Sequence, residues 1–346
     1  MRVAIVNDLR MAQEVLRRAV AGIPGATVAW IAADGAEALA MCRRDKPDLI
    51  LMDMVMPVMD GAVATRAIMR ECPCPILVVT STIEGNLGLV YEALSAGALD
   101  AAQTPTLGTA GELSGGDALI RKVRVACAAV GVAEPSYPPV VAVPMVGRSQ
   151  ASNATRLVVI GASTGGPHAV ATVIRGLGQA APRVPCVIVQ HIDLAYTEGL
   201  AHWLSHEAAR PVRLARDGDA LSDGDALVAA TLGHMVAARG TLRYIDAAPT
   251  DCHRPSIDVF FASVARDASL TGVAILLTGM GQDGAEGLRA LRDAGWHTIA
   301  QDEATSIVWG MPGSAVARGA ACEVLPLSAI GAAAARAHTL ALGSSR

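Results

Sequence analysis

Aromatic residues are scarce: two Phe, four Tyr and four Trp make up 3% of 346 residues, while hydrophobic residues reach 52%. The excess is therefore alanine, valine and leucine, the composition of α/β proteins whose Ala-rich helices pack close to buried parallel strands. Positive charge is not in surplus either. With 28 Lys and Arg against 32 Asp and Glu the formal net charge is −4, which argues against the basic patch or stripe of a nucleic-acid-binding protein. No uncharged apolar run reaches the roughly 18 residues of a membrane span, so membrane insertion is not expected. The opening Met1-Arg2-Val3-Ala4-Ile5-Val6-Asn7-Asp8 turns polar after four apolar residues. That is too early for the apolar core of a secretory signal, and a cytoplasmic location is expected. The seven cysteines fit neither a zinc spacing nor a disulfide framework, Cys72-Pro73-Cys74 being the only close pair. They read as small buried hydrophobes in a reducing compartment.

What is present is a rhythm of strands and helices, over a length that suggests two domains. Val3-Ala4-Ile5-Val6, Leu49-Ile50-Leu51-Met52 and Ile76-Leu77-Val78-Val79 read as buried strands, the last two ending at Asp53 and Thr80, and Met11 to Ala21 reads as a helix. Such alternation implies βαβ units and a parallel sheet. From Val130 to Asn153 the rhythm breaks. Pro135, Pro138, Pro139, Pro144 and Gly147, then Ser149-Gln150-Ala151-Ser152-Asn153, read as an exposed linker. A second α/β series begins at Leu157. Within it Met235-Val236-Ala237-Ala238 and Thr241-Leu242-Arg243-Tyr244, joined by Arg239-Gly240, predict an antiparallel hairpin. Ala332-Ala333-Ala334-Ala335-Arg336 reads as an ordinary terminal helix, and no repeat of solenoid or propeller period is present. The expected division is a domain over 1–124, a linker over 125–154 and a second domain over 155–346, both doubly wound on parallel sheets.

Asp8 and Asp53 stand at the ends of predicted parallel strands, close enough in such a sheet to share a metal. Two carboxylates and a backbone carbonyl suit Mg²⁺, which prefers oxygen ligands. Such a cation offsets the charge of an incoming phosphoryl group, so that Asp53 can act as nucleophile. Thr80, at the next strand end, can donate a hydroxyl hydrogen bond to that group. The competing reading is that these residues merely cap the following helices.

Residues 1 to about 124 resemble a response-regulator receiver domain. Asp48-Leu49-Ile50-Leu51-Met52-Asp53-Met54-Val55-Met56-Pro57-Val58-Met59-Asp60-Gly61 is close to that family's phosphorylation-site motif. The resemblance implies a flavodoxin-like fold with Asp53 as phosphoacceptor and Thr80 as the switch hydroxyl. It implies Mg²⁺ held by Asp8, Asp53 and the carbonyl of Val55. Two departures stand out. The family usually opens its metal site with two adjacent acids, where this chain has Asn7-Asp8, and its lysine before a proline is Thr104 in Gln103-Thr104-Pro105. With one anion and one cation fewer, Asp53 is expected to be phosphorylated through an atypical site.

The second half carries different chemistry at the same kind of place. Leu157-Val158-Val159-Ile160 runs into Gly161-Ala162-Ser163-Thr164-Gly165-Gly166-Pro167, Cys186-Val187-Ile188-Val189-Gln190 delivers His191, and Ala274-Ile275-Leu276-Leu277 leads to Thr278-Gly279-Met280-Gly281-Gln282-Asp283-Gly284. Open α/β sheets bind ligands outside the carboxyl ends of their strands. A serine, a histidine and an aspartate brought there are the parts of an acyl-transfer site. Glycines let the serine turn expose its Oγ, and the helix opening at Pro167 points unpaired N–H groups at a developing oxyanion. Other readings stand beside this one. The loop could bind phosphate, although it lacks the G-x-G-x-x-G order and a Walker lysine. His191 alone could be structural, and Asp283 alone a helix N-cap. The order Ser163, His191, Asp283 also departs from that of α/β-hydrolases. Their joint placement at three strand ends favours catalysis.

Residues from about 155 to 340 resemble the catalytic domain of CheB-type protein-glutamate methylesterases. The matching segments are the Ser163 loop, Val189-Gln190-His191, His253-Arg254-Pro255-Ser256-Ile257-Asp258, the Asp283 loop, Ala300-Gln301-Asp302-Glu303 and Trp309-Gly310-Met311-Pro312. A receiver followed by this domain is that family's architecture. The resemblance implies a Rossmann-like domain that hydrolyses glutamate γ-methyl esters on methyl-accepting chemoreceptors without a cofactor of its own. Ser163 is then the nucleophile, His191 the base and Asp283 its orienting acid, with the backbone of Thr164 and Met280 as oxyanion donors. Glutamine deamidation, a CheA-type histidine kinase as phosphodonor, and relief of a block on the catalytic cleft by phosphorylation follow from the same resemblance. Asn7-Asp8 and His191-Ile192-Asp193 most resemble the branch serving Wsp-like surface-sensing systems. His253-Arg254-Pro255 reads either as a contact for the receptor face or as a structural turn. A different soluble esterase and a non-catalytic receptor-binding scaffold are the alternatives. A DNA-binding output domain lacks its basic recognition helix.

Overall fold

Runs without a single polar residue, such as Leu49-Ile50-Leu51-Met52, are buried along their whole length. That requires cover on both faces, the situation of a central parallel strand. The computed structural model describes residues 1–81, 87–107, 113–114, 116, 119–120, 122–123, 154–221, 224, 226–248 and 253–343. The expected linker lies outside these residues except for Ala154. The chain forms two compact units, Met1–Pro135 and Ser136–Arg346.

In the first unit the chain runs β1 (Arg2–Val6), α1 (Arg10–Ala21), β2 (Thr27–Ala32), α2 (Gly35–Arg44), β3 (Leu49–Met52), α3 (Gly61–Glu71), β4 (Ile76–Thr80), α4 (Leu87–Ser95) and β5 (Asp100–Gln103). A two-stranded ladder of β6 (Thr106–Leu107) and β7 (Leu113–Ser114) follows. Strands β1 to β5 make one parallel sheet in the order β2-β1-β3-β4-β5, the flavodoxin-like order. Its topological switch lies between β1 and β3, whose carboxyl ends carry Asn7, Asp8 and Asp53. Helix capping falls to other residues: Asp34 accepts from Ala36 N and Glu37 N at the start of α2, and Asp60 from Val63 N at the start of α3. The N-cap of α1 is Leu9, so Asp8 is not a cap. Cys42 and Cys74 are buried thiols with sulfurs 3.9 Å apart. Burial pushes the Cys74 thiol up to about 11, which keeps it protonated and chemically quiet.

The second unit continues with β8 (Thr155–Ala162), α5 (Gly166–Ala180), β9 (Cys186–Gln190), α6 (Leu194–Glu207), β10 (Arg213–Leu214), β11 (Ala226–Val228), β12 (His234–Ala238) and β13 (Thr241–Ile245). It ends with α7 (Ile257–Arg266), β14 (Leu270–Leu276), α8 (Ala285–Asp293), β15 (His297–Gln301), α9 (Gly310–Ala317), β16 (Glu323–Leu325) and α10 (Leu327–Gly343). Seven parallel strands take the order β10-β11-β9-β8-β14-β15-β16. The order in which strands are added to the sheet reverses at β8, the strand that pairs with both β9 and β14. The expected hairpin forms as a ladder of its own, β12 with β13, rather than as an extension of the large sheet. Arg239 and Gly240 turn it with φ of 54° and 74°, the left-handed pair that matches strand twist in a two-residue loop. Among the described residues no helix is long and apolar enough to cross a membrane.

Candidate active site and phosphoacceptor site

The register of β8 against β9 and β14 fixes the neighbourhood of Ser163 and His191. Ala162 pairs with Gln190, so Ser163 and His191 are the next residues on adjacent strand ends, and His191 N donates to Ala162 O at 3.0 Å. On the other side, Ser163 N donates to Thr278 O at 3.0 Å. The Ser163 carbonyl accepts from Gly166 N at 2.7 Å and from Gln190 Nε2 at 2.8 Å. These bonds hold the turn from β8 into α5. Gly165 makes that turn at φ 74°, where a Cβ would also press on Ile307 at 2.7 Å. Ser163 is half-buried, and Thr164 beside it is buried.

His191 Nε2 lies 2.8 Å from Asp283 Oδ2, joining residues 92 positions apart. The start of α7 supplies the rest of the aspartate's partners. Ile257 N donates to Oδ2 at 2.8 Å, while Ser256 Oγ at 2.8 Å and Asp258 N at 3.0 Å donate to Oδ1. Burial opposes charge on Asp283, but His191 and these N–H donors outweigh it and hold the carboxyl below the usual carboxylate range. An ionised carboxylate only accepts, so Nε2 carries the hydrogen and Nδ1 is left without one. Among the described residues Ser163 Oγ makes no hydrogen bond to His191. In free enzymes such contacts are often long and tighten with substrate.

Two backbone N–H groups near the serine are open. Among the described residues neither Thr164 N nor Met280 N donates a hydrogen bond. Their peptides are nevertheless pinned: the Ser163 carbonyl, in the same peptide as Thr164 N, accepts from Gly166 N and Gln190 Nε2, and the Gly279 carbonyl, in the same peptide as Met280 N, accepts from Met311 N of α9 at 2.8 Å. Gly279 passes so close to the serine that a Cβ there would lie 2.7 Å from Ser163 Cβ and 2.3 Å from Met311 Sδ.

Several supporting residues stand in segments quoted above without the part they play here. The ring of His253 stacks on His191, centroids 4.7 Å apart and planes 10° from parallel. Burial first, and the neighbouring His191 second, hold His253 below the ordinary imidazole value. Gln301 Oε1 accepts from Thr278 N at 2.9 Å and its Nε2 donates to Thr305 O at 2.7 Å, bracing the loop behind the serine. All lie inside the motifs quoted above as polar residues beside strand ends. That position is the signal that could have marked them.

At the other site Asp53 is buried at the end of β3. Its Oδ1 accepts from Met54 N at 2.7 Å and its Oδ2 from Asn7 Nδ2 at 2.8 Å, while Asn7 Oδ1 accepts from Leu9 N at 2.8 Å. Burial, joined by the charge of Asp8, pushes the Asp53 carboxyl up to about 6. Two carboxylates crowded this way, neither ion-paired among the described residues, fit a hard divalent cation. Asn7 has both ends of its amide engaged. Thr80 is buried at the end of β4 and its carbonyl accepts from Thr104 N at 3.0 Å. The buried Thr104 Oγ1 has no partner among the described residues.

The family description CheB methylesterase matches residues 158–334, and that of the response regulator receiver domain matches residues 3–105. A Bordetella avium (strain 197N) protein named protein-glutamate methylesterase/protein-glutamine glutaminase 1 is 47% identical over 331 residues, 95% of each chain. This chain belongs to the CheB methylesterase family. A Mesorhizobium japonicum (strain LMG 29417 / CECT 9101 / MAFF 303099) member named protein-glutamate methylesterase/protein-glutamine glutaminase is likewise 47% identical, over 338 residues, 96% of this chain and 97% of its own. The crystal structure of the Thermotoga maritima CheB methylesterase catalytic domain is 31% identical, covering 53% of this chain and 98% of that one, with a TM-score of 0.49.

Proposed function

We propose that this CheB-family protein hydrolyses glutamate γ-methyl esters on the cytoplasmic helices of chemoreceptors, with Ser163, His191 and Asp283 as its catalytic triad. The observation that carries this reading is the 2.8 Å contact of His191 Nε2 with an Asp283 carboxylate kept ionised at the start of α7. Ser163 Oγ attacks the ester carbonyl carbon as His191 Nδ1 takes its proton. The carbonyl oxygen becomes an oxyanion that accepts from Thr164 N and Met280 N. Asp283 stabilises the imidazolium, which returns the proton to the departing methoxide and so releases methanol. Water deprotonated by His191 then attacks the glutamyl-Ser163 ester, leaving a glutamate carboxylate and free Ser163. A glutamine amide enters the same cycle with ammonia as leaving group, which accounts for deamidation.

The receiver regulates this activity by phosphorylation of Asp53, drawn from a CheA-type histidine kinase. Asp8, Asp53 and the Val55 carbonyl would hold Mg²⁺, which when bound neutralises charge as the phosphoryl group arrives. The Thr80 hydroxyl donates to the phosphoryl oxygens, and Asn7 orients Asp53 from its other side.

Methanol release from methyl-labelled receptor membranes tests the reading, with and without a phosphodonor and Mg²⁺, beside Ser163→Ala. Release that requires Ser163 and rises with phosphodonor is expected. Silence of the wild type on several receptors in both states would replace the hydrolase with a receptor-binding scaffold.

A further inference from the structure

Helix α8 begins without a capping side chain of its own. Its N-cap is Gly284, left-handed at φ 89°, and the nearest residue before it is Asp283. A first-turn N–H of α8, that of Gly287, donates instead to Asp258 Oδ1 at 2.7 Å. Asp258 itself lies in the first turn of α7. The arrangement is returned: Ile257 N and Asp258 N, at the start of α7, donate to Asp283. Two aspartates therefore serve each other's helix, Asp258 the start of α8 and Asp283 the start of α7. Each satisfies N–H groups that a helix start leaves open.

Resting on the triad reading above, we infer that Asp258 is a positioning residue for the esterase, fixing Asp283 against His191 through this exchange of caps and placing a second carboxylate behind the triad. The structure supports the inference in three ways. The Asp258 backbone touches Asp283 directly, its side chain anchors the segment that carries Asp283, and the helices concerned pack together through Gly287, where a Cβ would meet Phe261 Cβ at 2.6 Å. Burial, with the charge of Asp283 adding to it, pushes the Asp258 carboxyl up to about 6 against the pull of the Gly287 N–H. The pair therefore shares a pocket in which charge is costly. The ionisable groups facing it are His191, from the end of β9, and His253, stacked on His191 from the loop before α7. Glu286, in the first turn of α8, is turned to Arg318 at 2.7 Å.

The test compares Asp258→Ala and Asp258→Asn with wild type in Ser163-dependent methanol release across pH, and in the proton NMR signal of the His191 Nε2–H. Asp258→Ala should lose on the order of 10²-fold in kcat, the cost of about 1 Å of misplacement, and should move or broaden that signal. Asp258→Asn keeps an oxygen acceptor for Gly287 N and should recover most of the loss. Because the Asp258 carboxyl, pushed up to about 6, changes charge within the assayed range, both variants should remove its contribution from the pH profile of kcat/KM. Folded variants with the wild-type profile and signal would overturn the inference. So would a failure of both to fold, which would make Asp258 a structural cap alone. A wild type without Ser163-dependent release sinks the hydrolase reading itself, and the NMR comparison keeps the two failures apart.

Discussion

At the residue level, the His191–Asp283 contact determines which imidazole nitrogen is open to serve as base in the proposed triad. Asp283→Asn would preserve the shape of the site but donate from its amide, turning the His191 ring to the wrong tautomer. A loss on the order of 10⁴ in kcat is expected in the methanol-release assay, with the fold unchanged by circular dichroism. In the receiver, Asn7 neutralises a position that the family usually gives to an acid. Asn7→Asp would replace the N–H on Asp53 with another carboxylate and should tighten Mg²⁺ by on the order of tenfold in calorimetry. Unchanged affinity would mean that Asn7 is not what sets the metal site. Ser163, His191 and Asp53 were legible because each directly follows an apolar strand. Ser256, Asp258 and His253 were visible as a segment, but their contacts with Asp283 and His191 were not, because a loop folding back makes them. The Ser256 to Asp283 bond spans 27 residues, and no local pattern encodes it.

Elements were legible in proportion to their length. Parallel strands buried on both faces announce themselves as apolar runs, and β3 and β9 have the bounds read from the sequence. β8 extends from Thr155 to Ala162, beyond the apolar Leu157 to Ile160, because its polar and small end residues still pair with neighbours. β10, β11 and β16 have two or three residues each, too few for any periodicity to register. The capping reading of Asp283 had part of the truth: the residue does receive helix N–H groups, but those of α7 rather than of the helix that follows it. The turn between β8 and α5 is the element most sensitive to substitution. Gly165→Ala would force a left-handed φ on a Cβ that already meets Ile307, costing about 1–2 kcal/mol from conformation alone. A lower melting midpoint together with reduced methanol release is expected. A midpoint equal to wild type would show that the turn relaxes freely.

Taken as a whole, the catalytic unit carries two carboxylates with opposite pH linkage. Asp283 is depressed, so its contribution to stability is present above the ordinary carboxylate range and is lost as pH falls through its folded value. Asp258 is raised to about 6, so its contribution is full below the ordinary range and is lost as pH rises through about 6. Both are favourable only in mildly acid solution. The melting midpoint of this unit should therefore peak near pH 4 and decline as pH rises to about 6 by scanning calorimetry. Asp258→Asn should flatten the decline on the alkaline side; a variant that declines as steeply as wild type would assign the slope to other groups. The division into two α/β units was readable from the interrupted rhythm of the sequence. The place of the hairpin was not, since strand pairing between β12 and β13 is compatible with either joining the large sheet or standing apart.

That separation has a practical consequence. A peptide tag or fluorescent reporter spliced between Arg239 and Gly240 would lengthen a two-stranded ladder and strain the bonds of Gly240 to Asp267 and Leu221, while the seven parallel strands would keep their register. The enzyme can thus be labelled from within its catalytic half.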